Sequence, residues 1–431
     1  MYLCALLRVG GLALQPGFDV WVNGGMSVEV SCRTRISMDS IYGFNMRMGA
    51  FLICELTCIV VVCISAVAQS QGQVASATGP SSLVGDSPET TLPLAHDVSP
   101  VLRRRDIEHA MRKVADWQLA RTPNLGSDWT FAVLDVGILA AADTLKAPAY
   151  RDAVFRMAQQ REWRLGTRTT HADDQAVGQA YLRIFEQRKT LEMIQPARKQ
   201  FDDLKQQPDD PSAPVWWWCD ALFMAPPVWS GLSRVTGDRS YLDYMDREWW
   251  ITSTKLYDHQ EHLFFRDANY LDRKEANGKK LFWLRGNGWV LAGLARVLEN
   301  MPADYPARDK YLTQYAEMAA SLAALQQPDG LWRTGLLDEP AYPLPETSGS
   351  ALVVYALAWG INHHCLSRAK YAPVVEKAWK GLISHIYEDG RLGSIQPIGE
   401  KPDAFRPTSS YVYGVGAFLL AGSELTRYAT R

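Results

Sequence analysis

Two stretches of this chain place carboxylates where proton chemistry could use them. In "WWWCDALFMAPP", residues 216 to 227, one acid, Asp220, follows three tryptophans and precedes an apolar run closed by two prolines. A carboxyl set against so much aromatic surface loses hydration, which raises its pKa and lets it keep a proton near neutral pH. Asp also caps helix N-termini well, and that structural role is the competing reading; a helix N-terminus would pull the pKa the other way. The second stretch is "HADDQAVGQAY", residues 171 to 181, where His171 precedes the adjacent acids Asp173 and Asp174. One of these is expected to cap the following helix and the other to face the cleft of Asp220. Two carboxylates from different helices facing a sugar ring are the equipment of a glycosidase. The alternative is an exposed acidic turn.

A third stretch, "FWLRGNGW" at 282–289, sets Arg285 between Trp283 and Trp289, with Gly286 and Gly288 beside it. An Arg there can bind a carboxylate in bidentate fashion while an indole stacks on the sugar, which points to an acidic sugar. A cation–π clamp inside the core is the other reading. Arg266, in "FFRDANY", pairs naturally with Asp267 but could also reach the cleft. The chain has 15 Trp, 18 Tyr and 13 Phe, and flat rings stack well on sugar faces. Trp129, Trp217 and Trp289 are accordingly the expected platforms, with His171 at their edge.

These residues need a scaffold that brings distant segments together. Apolar residues at three- and four-residue spacing predict helices over 101–121, 131–145, 149–162, 174–187, 190–205, 219–235, 239–254, 287–299, 308–326, 348–366, 372–387 and 412–425. No alternating strand pattern of any length accompanies them. Asp-Gly turns recur at Asp329 and Asp389, and "YDHQEHLFFRD" at 257–267 occupies the equivalent place in an earlier unit. Helix pairs at such a period stack as αα-hairpins, and six can close into an all-α (α/α)6 toroid; an open solenoid is the alternative. The helices near 131, 174, 219, 287, 348 and 412 are apolar almost all round and suit an inner ring. The segments entering them are "GSDWTF", "THADDQ", "WWWCD", "FWLRGNGW", "PETSGS" and "PTSSYVY". In a toroid these converge on one mouth. Pro226 and Pro227 are expected to kink their inner helix, and His363-His364 to end another.

The rest of the chain bounds the setting. Residues 46–68 have a basic start at Arg47, an apolar run and an Ala66-Val67-Ala68 ending, the plan of a secretory signal peptide cleaved after Ala68. Residues 1–45 show no period and read as an extension, with Met46 or Met48 as the start. Residues 69–99, rich in Ser, Gly, Pro and Thr, read as a linker, which leaves 100–431 as the domain. Five of seven cysteines precede residue 69, so Cys219 and Cys365 remain, either free or joined in one bridge. The net charge of −2 gives no support for nucleic-acid binding. No metal-ligand spacing and no phosphate-binding loop appears, so neither metal nor cofactor is expected. The partner expected is an oligosaccharide, met by an exported monomer with no membrane attachment once the signal is removed.

"WWWCDALFMAPPVWSGLSRVTGD", "FWLRGNGWVLAGLARVLENMP", "DGLWRTGLLD" and "PETSGSALVVYALAWGIN" together resemble glycoside hydrolase family 105, the unsaturated rhamnogalacturonyl hydrolases, relatives of the unsaturated glucuronyl hydrolases of family 88. The similarity runs through 100–431 in order. It implies an (α/α)6 barrel acting on oligosaccharides that end in a Δ4,5-unsaturated uronic acid. In such enzymes one Asp protonates C4 and activates a water that adds at C5. Here that Asp matches Asp220, the second carboxylate falls at Asp173 or Asp174, and Trp283 and Arg285 match a uronate-binding segment. Relatives often carry His where this chain has Arg266, which bears on the next sugar: rhamnose from pectin is the default, and arabinogalactan or ulvan products are alternatives. An inverting glycosidase, an epimerase or a sugar-binding protein on the same toroid are the competing functions.

Overall fold

The computed structural model describes residues 83–90, 92–207, 210 and 212–429. The signal segment and the extension before it lie outside the described residues. Six outer helices are α1 (Arg104–Arg121), α3 (Pro148–Gln160), α6 (Gln195–Lys205), α9 (Ser240–Leu256), α11 (Arg308–Ala324) and α13 (Arg368–Ile383). They alternate along the chain with six inner rods. Four rods are single helices: α2 (Trp129–Leu145), α10 (Leu284–Asn300), α12 (Thr347–Asn362) and α14 (Val412–Tyr428). The other two are broken, into α4 (Ala172–Gln175) and α5 (Gly178–Arg188), and into α7 (Ala221–Met224) and α8 (Pro226–Thr236).

The inner ring closes. α2 packs on α5 and α14, α14 on α12, α12 on α10, α10 on α7 and α8, and α8 on α5. This is the (α/α)6 toroid, and the open solenoid is excluded. The sequence explains the closeness of the seams. A Cβ on Gly137 would sit 2.4 Å from the carbonyl oxygen of Gly416, and one on Gly416 would sit 2.2 Å from that of Val133, so only glycine lets α2 and α14 touch backbone to backbone. Outer helices bury one stripe each; in α13 it is Tyr371, Val375, Ala378, Trp379 and Leu382.

Differences from the expected elements have local causes. Pro226 takes the first position of α8 because it has no N–H to give to the turn before it, so the expected kink is a full break at Ala225. Leu284 opens α10 three residues before the expected 287, which puts Arg285 on the helix rather than on a loop. Helix α13 starts at Arg368, not 372, and takes Pro373 into its interior. Four two-residue strands make two antiparallel pairs: β1 (Gly85–Asp86) with β4 (Ser410–Tyr411), and β2 (Tyr257–Asp258) with β3 (Leu263–Phe264).

Strand β1 falls in the stretch read as linker. From Leu83 that stretch instead runs along the toroid, where Asp86 accepts from Arg121 at 2.6 Å and from Arg391 at 2.5 Å, and the Ala95 N–H donates to the Ile386 carbonyl. The repeated turns are real: Asp258, Asp329 and Asp389 each accept from the backbone N–H two residues on, and Gly330 and Gly390 have φ of 92° and 101°.

Candidate active site

The entries to the inner rods meet at one end of the ring. Trp129 opens α2, stacks on Tyr413 at 5.3 Å and meets Trp289 edge-on at 6.5 Å. His171 caps α4, and its ring lies 4.7 Å from that of Trp218. The three tryptophans lead into α7: the Cys219 N–H donates to the Arg266 carbonyl at 2.8 Å, and Trp218 pairs with Asp267. Trp216 and Trp218 are buried, while Trp217 stands 46% exposed.

Asp220 sits at the cap position of α7 but makes no side-chain capping bond. Its carboxylate accepts a weak bond from the Cys219 thiol at 3.4 Å. Burial pushes its pKa up, and the Arg266 guanidinium pulls part of the way back. Asp173 is raised to about 7, first by burial and next by the charge of Asp220, with Arg168 opposing. The two groups therefore titrate as a pair.

Asp174 has a different fate. The Arg168 guanidinium donates to it at 2.5 and 2.9 Å and the Arg168 N–H at 2.8 Å, and these bonds outweigh burial and hold its pKa low. Asp173 is the carboxylate that faces Asp220, and Asp174 is a staple for the turn before α4. The Nδ1 of His171 accepts from the Asp173 N–H at 3.3 Å; burial, then Arg168, lowers the pKa of this ring.

The structure corrects the reading of "FWLRGNGW". Arg285 is 1% exposed, and its guanidinium donates to the carbonyls of Gln396 at 2.7 Å and Pro397 at 2.8 Å. It lies 4.6 Å from the Trp283 ring and 5.0 Å from the Tyr413 ring, with Glu346 at 3.9 Å. Trp283 is buried and donates to the Gln396 side chain; Trp289 is buried against Trp129 and Phe223. These three residues lie buried beneath the mouth, with the polar groups of Trp283 and Arg285 given to the segment at Gln396 and Pro397. The cause is the early start of α10, which winds Arg285 into its first turn.

Arg266 takes the opposite course. It is partly exposed, pairs with Asp267 at 2.5 Å, lies 5.4 Å from the Trp217 ring, and is the leading positive influence on Asp220. Of the expected residues, the structure thus gathers Asp220, Asp173, His171, Trp217 and Arg266, with Trp129 across the mouth. Reading the sequence missed Glu400, whose carboxylate is 3.8 Å from Arg266 and accepts from the Tyr270 hydroxyl at 3.0 Å. No motif flagged it, because the segment around it has neither periodicity nor aromatic neighbours. Cys219 and Cys365 are both free thiols. Among the described residues no group of three or more His, Cys, Asp or Glu is placed to hold a metal ion.

The family model for Glycosyl Hydrolase Family 88 matches residues 104–429. The chain belongs to Glycosyl Hydrolase Family 88. A family 88 chain from Bacteroides vulgatus is 32% identical, with a TM-score of 0.72 over 75% of this chain and 99% of that one. A curated relative from Formosa agariphila, named unsaturated 3S-rhamnoglycuronyl hydrolase, is 40% identical over 76% of this chain and 92% of its own length. A glycoside hydrolase of family 105 from C. acetobutylicum, 20% identical with a TM-score of 0.62, shares the fold. In this family 88 glycoside hydrolase, the geometry supplies two buried acids with raised pKa values, one exposed indole and one cation within a single mouth.

Proposed function

We propose that this glycoside hydrolase removes a terminal Δ4,5-unsaturated uronate from oligosaccharides left by polysaccharide lyases, and that the next sugar is a rhamnose carrying a sulfate at O3. The name of the Formosa agariphila relative supports the choice of sugar. The observation that carries the chemistry is the pairing of Asp220 with Asp173, both held above the ordinary carboxylate range beside the exposed Trp217.

The steps follow from that pair. The uronate ring stacks on Trp217. Asp220, as the neutral acid, gives its proton to C4, and the double-bond electrons form the new C4–H bond. Positive charge develops at C5 and is shared with the ring oxygen. The Asp220 carboxylate then takes a proton from a water whose oxygen bonds to C5, which regenerates the acid. The hemiketal at C5 opens by breaking its bond to the ring oxygen. The hemiacetal left at C1 releases the next sugar with its hydroxyl restored, and one water is consumed in all. Asp173, protonated below about pH 7, is a hydrogen-bond donor that orients the water or a ring hydroxyl and limits the charge around Asp220.

Residues 46–68 support export to the periplasm or the exterior, with the enzyme acting as a monomer. The test follows the ultraviolet absorbance of the conjugated double bond. Incubation with an unsaturated uronate linked to 3-sulfated rhamnose should remove it, and the Asp220→Asn chain should not. Loss only with the product of a rhamnogalacturonan lyase would move the substrate to pectin. No loss with any unsaturated uronide would overturn the proposal.

A further inference from the structure

Asp220 opens a helix too short to hold itself. α7 has four residues, and a helix of that length forms too few bonds to offset its ordering. Its start is fixed: the Cys219 N–H donates to the Arg266 carbonyl, and the Phe223 N–H to the Asp220 carbonyl at 3.0 Å. At its far end the chain withholds donors. Pro227 has no N–H to give the Phe223 carbonyl. The Val228 N–H, which would serve Met224 in an unbroken helix, goes to the Ala225 carbonyl at 2.8 Å. Phe223 and Met224 are both buried, where an unpaired carbonyl costs about 1–3 kcal/mol.

Gln179 supplies what is missing. Its Nε2 donates to the Phe223 carbonyl at 2.8 Å and to the Met224 carbonyl at 3.2 Å, and the residue is buried. Its Oε1 accepts from no protein group; the residue lines a cavity of about 140 Å³ among the last turns of the inner rods. The same segment grips the other side of the break, where the Trp229 indole of α8 donates to Gln175 Oε1 at 2.9 Å. Gln175 shares α4 with Asp173, and Gln179 lies on α5 just beyond it. The stretch "HADDQAVGQAY" therefore carries one acid of the pair and both grips on the rod that carries the other.

We propose that Gln179 is a positioning residue for Asp220: its amide stands in for the donors that the proline break withholds, fixes α7, and so holds the acid in register with Asp173 and with C4. The inference rests on the reaction above. Proton transfer to carbon depends on reach, and a misplacement of about 1 Å can cost roughly a hundredfold. The Phe223 peptide is the link, since its carbonyl is held by Gln179 while its N–H holds the backbone of the acid.

Two substitutions of nearly equal length separate the amide's donors from its bulk. Gln179→Met has no donor, so its kcat should fall roughly tenfold or more at every pH, with KM within about twofold of wild type because the groups at the mouth are untouched. Gln179→Glu has one donor, and only while its carboxyl is protonated. The charged groups lining the cavity are Arg183, Arg234, Arg296 and Arg427 against Asp143, Glu186, Glu299 and Glu424, with the Tyr355 hydroxyl beside them. Their signs balance, so burial governs the introduced carboxyl and favours its neutral form. Its kcat, as a ratio to wild type at the same pH, should lie within about threefold at acid pH and fall to the Gln179→Met level as the carboxyl ionises. Its melting temperature should fall over the same range, because a carboxyl with a raised folded pKa loses stability as pH rises; this readout needs no substrate. Wild-type kcat in a Gln179→Met chain that melts lower would reduce Gln179 to a brace and overturn the proposal. A Gln179→Glu ratio that does not change with pH would overturn the part played by the donor. Absence of turnover in the wild-type chain would overturn the reaction and this role with it, while the melting curves still show whether the grip on α7 stands.

Discussion

At the level of single residues, the decisive feature is a pair of carboxyls that burial raises together. Asp173 titrates near 7 and Asp220 is raised as well, so the neutral, hydrogen-bond-donating form of Asp173 is lost as pH rises through about 7. The expected kcat/KM profile therefore descends above neutrality. In Asp173→Asn the group that titrates near 7 is gone, so the descending limb near neutrality should be lost, with a drop in rate on the order of a hundredfold. Stability has its own sign. The folded pKa of Asp173 is above the ordinary 3.8, so ionising it costs the folded state, and stability from this group falls between about pH 4 and 7. Melting curves should show Asp173→Asn gaining on the wild type across that window. Asp174→Asn should do the reverse: its folded pKa is lowered, so it loses stability above pH 4 while keeping most activity. Both Asp220 and the HADD segment were legible in the sequence because acids beside aromatics and before apolar helices have a chemical reason to be there. Which of Asp173 and Asp174 faces the cleft was not legible, since the answer depends on Arg168 reaching six residues along to bind one of them.

At the level of elements, the inner rods were readable from composition, and their ends were not. Arg285 shows why this matters: a start three residues early turns an expected sugar ligand into a buried clamp on Gln396 and Pro397. Its replacement by Met would remove the cation beside the buried Glu346, at a cost of about 3–5 kcal/mol, and would free the loop that carries Glu400. Limited proteolysis should then cut between residues 396 and 406, where the wild type resists; resistance in the variant would contradict the clamp. The seams are equally specific. Gly137→Ala drives a methyl into the Gly416 backbone and should lower stability by about 1–3 kcal/mol, read from thermal unfolding. Such glycines look like any small residue in an apolar helix until the partner helix is known.

For the molecule as a whole, the toroid exists to bring six segments, scattered from Trp129 to Tyr413, to one mouth. The expectation of that mouth came from the alternation of apolar and half-polar helices, and it survived even where individual roles did not. What the sequence concealed was the use of residues 83–99, because their Ser, Gly and Pro content resembles a linker while their anchors, Arg121 and Arg391, lie far along the chain. A chain beginning at residue 83 should melt at a higher temperature than one beginning at 100, and equal melting would show that the strap adds nothing. The most direct single measurement is to run the reaction in heavy water and examine the released uronate by NMR. Deuterium at C4 with the double bond consumed is the predicted result, and Asp220→Asn should give neither. Release of the sugar with the C4=C5 bond intact and no deuterium at C4 would mean attack at the anomeric carbon, and would contradict the assignment of Asp220 as the acid that protonates the double bond.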